Sequence, residues 1–225
     1  MGLFDIFKRK KNQMFLYSEA DLDQYEKFIE ENFGKFETVL HEIVSPDIHV
    51  DIIIVPPTPE HNFYKLITMG MGAYEMNIPR GLKQYELERA ELVLYLPPTW
   101  DVNSSKEEDY WPIGYLKMLA RMPLNYNTWL GVGHSIGSGA ENEPFADNTE
   151  FCAIMLLKAW NLEMEELDLQ LSDSGKINFY QFFPLYKEEL EFKQENDAET
   201  LLELFDDEDV IPVLNNGRKN YCKKS

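Results

Sequence analysis

The chain has 225 residues, of which 21 are basic and 40 acidic, so its formal net charge is −19. The hydrophobic content of 44% and charged content of 27% are typical of a folded globular protein, and the length suits one large domain. Residues 1–11 hold four basic residues and one acidic residue, and residues 217–225 hold four basic residues. The remainder has 13 basic and 39 acidic residues, a net charge of −26. This charge excludes nucleic acid as a partner and favours a basic protein, although it also serves solubility.

Neither a membrane span nor a secretory signal is indicated. The chain has no run of about 20 apolar residues. Its start, MGLFDIFKRKK, places the charges after the apolar residues, the reverse of a signal peptide. This start is predicted to be a loosely docked tail, with a short helix at a membrane surface as the alternative. Cys152 and Cys222 form no metal-binding or redox motif, and we expect a cytoplasmic protein with Cys152 buried.

The first half of the chain predicts two helices and several strands. Ser18, followed by Asp21, resembles a helix N-cap, and apolar residues at helical spacing continue to Gly34. A second helix is predicted to begin at Pro112 and to end near Pro123. Residues 36–43 are ambiguous between helix and strand. Runs rich in β-branched and apolar residues predict strands over 49–55, 64–68 and 90–96.

The second half predicts more strands and two further helices, separated by short turns. One helix follows Pro184 and ends near Gln194, and the next is predicted to be capped by Asn196. Strands without strict alternation with helices indicate an α+β fold in one domain over residues 16–225, after a tail over residues 1–15. A loop is predicted over 135–148, and strands over 129–133, 151–157, 167–171 and 176–183.

The sequence Gly133-His134-Ser135-Ile136-Gly137 matches the G-x-S-x-G pattern of serine hydrolases. That pattern requires a strand before the serine, a helix after it, and a catalytic histidine later in the chain. A loop sequence follows Ser135, and none of the four histidines lies after His134. A hydrolase that uses His134 and Ser135 is therefore disfavoured, because the serine lacks a base that would activate it.

His49 and Asp51 lie two residues apart in a predicted strand, so their side chains share one face. They form either a catalytic or metal-binding pair, joined by His134, or a histidine hydrogen-bonded to its neighbour. The second interpretation is favoured because no H-x-x-x-H spacing is present, and we expect no metal or other cofactor. Aromatic residues in loops are candidate interface residues, and Trp129 in particular is expected to be partly exposed.

Several blocks in order resemble the suppressor-of-fused domain in its short bacterial version. They are HVDIIIVPPT, NFYKLITMGMG, MNIP, AELVLYLPPTW, WPIGYLKMLARMP, TWLGVGHSIGSG with EPFA, INFYQFFPLYKEEL and NNGRKNYC, within residues 36–222. The resemblance implies an α+β domain with a central mixed or antiparallel sheet flanked by helices. In animals the domain is the front half of a two-lobed protein that clasps an extended peptide. The 225 residues match the front half only, so the two-lobed clamp is not expected to carry over to this sequence.

The resemblance also implies function without catalysis. Bacterial relatives of this kind look like immunity proteins, which neutralise a cognate toxin, often a nuclease. The first hypothesis is therefore a non-enzymatic immunity protein whose partner is a toxin domain with a basic surface. The alternative is a general regulatory module that binds an extended peptide at a sheet edge, and a hydrolase is the disfavoured second alternative. The family supplies no catalytic residue, and the expected partner-binding residues are His49, Asp51, Tyr85, Trp129, His134, Glu141 and Glu143.

Overall fold

An eight-stranded mixed β-sheet forms the centre of the computed structural model, which describes residues 14–43, 45, 47–159, 167–208 and 210–223. The strands are β1 (Thr38–Leu40), β2 (Asp51–Val55), β3 (Tyr64–Met69), β4 (Ala90–Leu96), β5 (Ser135–Gly137), β6 (Ala153–Lys158), β7 (Asp168–Leu171) and β8 (Gly175–Leu185). Their order across the sheet is β1-β2-β3-β4-β8-β6-β5, and β7 pairs with the first part of β8. Only β4 and β8 are parallel; the other pairs of these described strands are antiparallel.

Helices cover both faces of the sheet, and the predicted α+β fold in a single domain is confirmed. The helices are α1 (Glu19–Asn32), α2 (Glu107–Tyr126), α3 (Lys187–Glu195) and α4 (Ala198–Asp207), with short 3₁₀ helices at Met71–Ala73 and Arg80–Tyr85. Because side chains alternate along a strand, even-numbered residues of β8 such as Phe182 face α2, while Phe179 and Phe183 face the other side. That side is covered by α1 and, next to it, by α3 and α4. No helix among the described residues is long and apolar enough to cross a membrane.

Helix α2 is longer at both ends than the predicted helix from Pro112 to Pro123. The three acidic residues Glu107–Asp109 form its first turn, where their negative charges stabilise the helix by interacting with the positive end of its dipole. Pro112 has no N–H to donate, so the carbonyl of Glu108 lacks its helical partner. The side-chain amide of Asn148 donates to that carbonyl at 2.8 Å. The proline is thus accommodated inside the helix, and the Asn148 loop is fastened to the helix start.

The predicted strand over Trp129–Gly133 is wrong, and β5 lies inside the predicted loop instead. Gly133 has a positive φ of 79°, and the N–H of His134 donates to the carbonyl of Gly131 at 3.1 Å. The chain therefore turns before His134 and only then extends beside β6. The carbonyl of His134 accepts the N–H of Leu156 at 2.9 Å. A glycine with positive φ ends the extended conformation that the aromatic and branched residues suggest.

Two further predicted boundaries are corrected. Strand β8 continues through Pro184, because β4 pairs with it only as far as Gln181 and the missing N–H of the proline therefore faces no strand. The N-cap of α4 is Asp197, rather than Asn196, and its carboxylate accepts the N–H of Thr200 at 2.8 Å.

Two features near the N-terminus complete the comparison with the sequence. The ambiguous stretch 36–43 contains β1. The predicted N-cap Ser18 is confirmed, because its hydroxyl accepts the N–H of Asp21 at 3.1 Å.

Residues 212–218, near the C-terminus, are fastened to the sheet and to α3. The two terminal nitrogens of Arg218, Nη1 and Nη2, each donate to the buried carboxylate of Glu189 in α3 at 2.6 Å. The N–H of Leu214 donates to the carbonyl of Tyr95 at 2.9 Å, and the amide of Gln181 donates to the carbonyl of Pro212 at 2.7 Å. Residues 212–214 are therefore hydrogen-bonded to β4 and β8 near the point where the two strands stop pairing.

Candidate protein-binding groove

An open groove of about 800 Å³ lies between the outer face of α2 and the edge strand β5. Helix α2 supplies one wall, and β5 with the residues after it supplies the other. It is larger than two other cavities on the described part of the protein, which have volumes of about 330 and 390 Å³. Its lining residues are mostly aromatic, aliphatic or glycine: Ser105, Glu107, Tyr110, Trp111, Gly114, Tyr115, Met118, Met122, Tyr126, Ile136, Gly137, Ser138, Gly139 and Phe145.

The helix wall is an apolar stripe on the side of α2 that the sheet does not cover. Its members, spaced by four residues and therefore on one face of the helix, are Tyr110, Gly114, Met118, Met122 and Tyr126. Tyr110 and Met118 are each 39% exposed, and Tyr126 is 74% exposed. Gly114 leaves a notch between Tyr110 and Met118, since a Cβ there would meet only the Tyr110 ring, at 3.6 Å. Exposed apolar residues that share a face in this way are typical of a docking surface.

The other wall is an unpaired strand edge. Strand β5 is the last in the sheet and, among the described residues, pairs only with β6. Ile136 is in register with Ile154, and the N–H of Ser138 donates to the carbonyl of Cys152 at 2.8 Å. Since bonding alternates along an antiparallel strand, the backbone groups of Ser135 and Gly137 face away from β6. No other described strand pairs with them, so they can bond to an added strand.

Aromatic side chains form the deep end of the groove, near the start of α2. The rings of Trp111 and Phe145 stack with centres 5.2 Å apart, and Tyr115 lies 4.2 Å from Phe145. Burial, together with the negative charge of Glu107, raises the pKa of the Tyr115 hydroxyl. The indole N–H of Trp111 is buried and has no hydrogen-bond partner among the described residues. This end of the groove therefore combines packed aromatic rings with the negative charge of Glu107.

His49 and Asp51 belong to a hydrogen-bonded cluster formed by residues of the chain itself. The carboxylate of Asp51 lies 2.9 Å from Nε2 of His49 and 2.8 Å from Nδ1 of His41, and it accepts the N–H of Glu42 at 2.9 Å. Burial acts to raise the pKa of Asp51, but the hydrogen bonds from Glu42 and His41 and the nearby His49 outweigh it, so the pKa is lowered.

The remaining members of this cluster tie the β1–β2 connection to α2. The hydroxyl of Ser45 lies 2.7 Å from Nδ1 of His49 and donates to Glu42 at 2.6 Å. Glu42 is in turn paired with Arg121 of α2. Each polar group thus has a partner inside the chain, and no cluster of potential metal ligands is found among the described residues. The arrangement agrees with the second interpretation of the pair, in which His49 is hydrogen-bonded to its neighbour Asp51.

The hydrolase pattern at Ser135 does not adopt the required geometry. Ser135 lies on a strand that is followed by a loop, so residues 129–152, all of them described, do not form the strand–turn–helix that exposes a nucleophilic serine. The Ser135 hydroxyl accepts a hydrogen bond from Nζ of Lys193 at 3.2 Å. The His134 ring packs edge-on against Trp129, with centres 4.3 Å apart. Burial and the nearby Lys193 lower the pKa of His134.

The structure brings together only some of the expected partner-binding residues. Trp129, which is half-buried as expected, contacts His134, and this pair lies beside β5. Glu141 and Glu143 are exposed in the loop after β5, whereas Tyr85 is exposed at the end of a 3₁₀ helix and does not line the groove. The groove residues on α2 were not predicted from the sequence. The signal that could have found them is the four-residue spacing of the stripe, beside the buried face of the same helix.

Residues 46–219 match the protein family described as Suppressor of fused protein (SUFU). The chain belongs to this family. The match spans most of the sheet, α2, the groove and the C-terminal segment. The chain is also similar to an uncharacterized protein of Ureaplasma parvum serovar 3, with 24% identity over 213 residues, which cover 93% of this chain and 99% of that protein.

Solved structures of SUFU proteins share the fold. A protein described as a SUFU homolog from Neisseria gonorrhoeae FA 1090 superposes with a TM-score of 0.62 at 16% identity, covering 93% of this chain and 98% of that one. The Sufu–Fu complex gives the same TM-score at 11% identity, covering 93% of each chain. Drosophila Suppressor of Fused gives 0.53 at 12% identity, covering 76% of this chain and 42% of that chain. At these identities the likeness establishes the fold.

Proposed function

We propose that this SUFU-family chain is a non-catalytic domain that binds a partner protein in the groove between α2 and β5. The observation that carries the proposal is that an exposed apolar stripe on α2 lies across one open groove from the edge of β5, and no other described strand pairs with that edge. The relative in the Sufu–Fu complex is itself bound to a protein, which supports a binding role for the fold.

The geometry suits an extended segment of the partner. Such a segment would add to β5 through the outward backbone groups of Ser135 and Gly137, which supply affinity that does not depend on sequence. Its side chains would alternate, with every second one directed toward the stripe of α2. Met118 and Met122 adapt their shape readily, so they accept different apolar side chains. A strand edge and a flexible apolar wall together provide affinity from the backbone and selectivity from the side chains.

The partner that we favour is a toxin domain with a basic surface, which makes the chain an immunity protein. The net charge of −26 outside the two basic end segments supports this choice, because it attracts a basic partner and repels competing polyanions. A general regulatory module that binds an extended peptide remains the alternative. None of the seven expected residues is among those that line the groove. His134, Trp129, Glu141 and Glu143 lie near β5 and belong to the proposed contact region, whereas His49, Asp51 and Tyr85 lie elsewhere on the chain.

Partner identity is tested by co-expression. If a toxin-like reading frame lies beside this gene, its product should arrest growth when expressed alone, and co-expression of this chain should restore growth. The two proteins should also co-purify in low salt. Absence of both protection and a complex would contradict the immunity role. A specific complex with a host regulator would favour the regulatory alternative.

The groove is tested with a matched pair of lysine substitutions. Met118→Lys places a charge in the apolar stripe and should weaken partner binding by about tenfold or more, since a buried unpaired charge is costly. Ile43→Lys is the control, because Ile43 is 98% exposed and lies outside the groove. Titration calorimetry with the identified partner measures both. Equal affinity of the two variants would show that the groove is not the binding surface.

A further inference from the structure

The proposed groove continues at one end into a smaller acidic pocket. This pocket has a volume of about 330 Å³ and is lined by Lys106, Glu107, Glu108 and Asp147. Glu107 lines both cavities and therefore lies where they meet. A ligand that follows the groove toward the start of α2 leaves an apolar surface and meets carboxylates.

The fold holds these carboxylates together although they repel one another. Pro112 frees the carbonyl of Glu108, and Asn148 binds that carbonyl at 2.8 Å, which places the neighbouring Asp147 at the start of α2. Lys106 pairs with Glu108 at 3.6 Å. Within the part of the chain that the structure describes, neither Glu107 nor Asp147 has a cationic partner. The pocket thus has one basic and three acidic residues, and the positive end of the helix dipole offsets part of the repulsion.

From this arrangement we infer that the docked partner segment is bipartite: a stretch of apolar residues lies on the stripe of α2, and a lysine or arginine at one end enters the pocket of Glu107, Glu108 and Asp147. This inference rests on the proposed function and specifies the chemistry of the segment. Helix α2 has 20 residues and is about 30 Å long. An extended segment of about nine residues therefore covers the groove.

Charge complementarity gives the apolar groove and the adjoining acidic pocket a common role. The apolar stripe alone would bind any exposed hydrophobic sequence. A requirement for a cation at one end of the groove selects among such sequences and fixes the direction of the bound segment. Glu107 lines the apolar groove as well as the pocket, so its negative charge lies beside both parts of the bound segment. A basic side chain that comes from the groove would meet Glu107, which lines both cavities, and then Asp147 in the pocket.

The test uses a phage-displayed library of random peptides of about twelve residues, slightly longer than the groove requires. Full-length protein is the target, and binders are compared with those recovered on Met118→Lys. Peptides that depend on Met118 are expected to combine hydrophobic residues with lysine or arginine at one end. The double variant Glu107→Lys/Asp147→Lys should select peptides without this basic end. The control Glu26→Lys/Glu30→Lys makes the same change of charge on α1, across the sheet, and should retain it.

The outcomes separate the inference from the proposed function. Binders that depend on Met118 but show no basic bias, or keep the bias in Glu107→Lys/Asp147→Lys, overturn the bipartite segment and leave groove binding intact. If no selected peptide depends on Met118, the groove is not a peptide-binding surface and the proposed function fails as well. Loss of the basic bias in both charge variants would assign it to overall charge, which also overturns the inference.

Discussion

Glu91 in β4 is a fully buried carboxyl group that organises the turn after β3. It accepts hydrogen bonds from the hydroxyls of Tyr17 and Thr68 at 2.7 and 2.6 Å, and from the amides of Gly70 and Gly72 at 2.9 and 3.0 Å. Gly70 has a φ of 118°, and a Cβ there would lie 2.1 Å from the carbonyl oxygen of His49, so no other residue fits. One carboxyl group therefore joins the N-terminal segment, β3 and β4.

The protonation of Glu91 should make stability depend on pH. Burial raises its pKa from 4.5 to about 7, against the hydrogen bonds that lower it. The folded chain then holds one more proton than the unfolded chain between these values, so the unfolding free energy falls as pH rises from about 4.5 to 7. Glu91→Gln lacks this titration. We expect the stability of the native chain relative to the variant to fall by about 3 kcal/mol across this window in urea titrations. A constant difference would contradict the prediction.

Lys65 in β3 is buried on the α1 face of the sheet without a hydrogen-bond partner among the described residues. Its Nζ lies 5.4 Å from the centre of the Phe63 ring, and burial lowers its pKa. We expect Lys65→Met to raise the unfolding free energy by about 1 to 3 kcal/mol, because the variant keeps the aliphatic packing and removes the buried amine.

The gain from Lys65→Met should grow as pH falls. Burial lowers the pKa of Lys65 only in the folded chain, so the unfolded chain takes up the proton first as pH falls. The native chain therefore loses stability over the pH range between the two pKa values. Thermal unfolding of the native chain, Lys65→Met and Lys65→Arg over a range of pH measures this. The arginine variant should be the least stable at every pH, since it cannot lose its charge. A destabilised methionine variant would show that the amine makes a favourable interaction.

At the scale of elements, secondary structure was predicted correctly where a single residue pattern dominates the segment. Ala90–Leu96 forms β4 as predicted, because its apolar run is buried on both faces of a central strand. The groove was not predicted because α2 carries two apolar faces, and the stripe from Tyr110 to Tyr126 became distinguishable only when the sheet covered the other. The strand predicted over 129–133 was wrong because the positive φ of Gly133 turns the chain, and the extended segment begins only at Ser135. These outcomes depend on contacts distant in the sequence.

The Glu189–Arg218 pair fastens the C-terminal segment to α3. The guanidinium group lies within 6 Å of five ring centres, those of Phe151, Phe183, Tyr186, Phe205 and Tyr221. Arg218→Met should reduce the unfolding free energy by about 3 to 5 kcal/mol, because it leaves the buried carboxylate of Glu189 unpaired. Urea unfolding followed by circular dichroism measures this loss.

A double variant separates the ion pair from the packing around it. Glu189→Leu/Arg218→Met removes both charges, so it should be more stable than Arg218→Met alone, by about 1 kcal/mol or more. If the double variant loses as much stability as the sum of the two single variants, the pair is not coupled. In that case the contacts of Arg218 with the aromatic rings would account for its stabilising effect.

The whole molecule has an excess of negative charge that no fold of this sequence can remove. With 39 acidic and 13 basic residues outside the two end segments, repulsion between carboxylates opposes the folded state. Salt screens this repulsion over about 10 Å at 0.1 M. The unfolding temperature should therefore rise between about 20 and 300 mM NaCl. Glu26→Lys/Glu30→Lys should unfold at a higher temperature in low salt and respond less to salt. An unfolding temperature that falls with NaCl would mean that ion pairs such as Glu42–Arg121 and Glu189–Arg218 outweigh the excess charge.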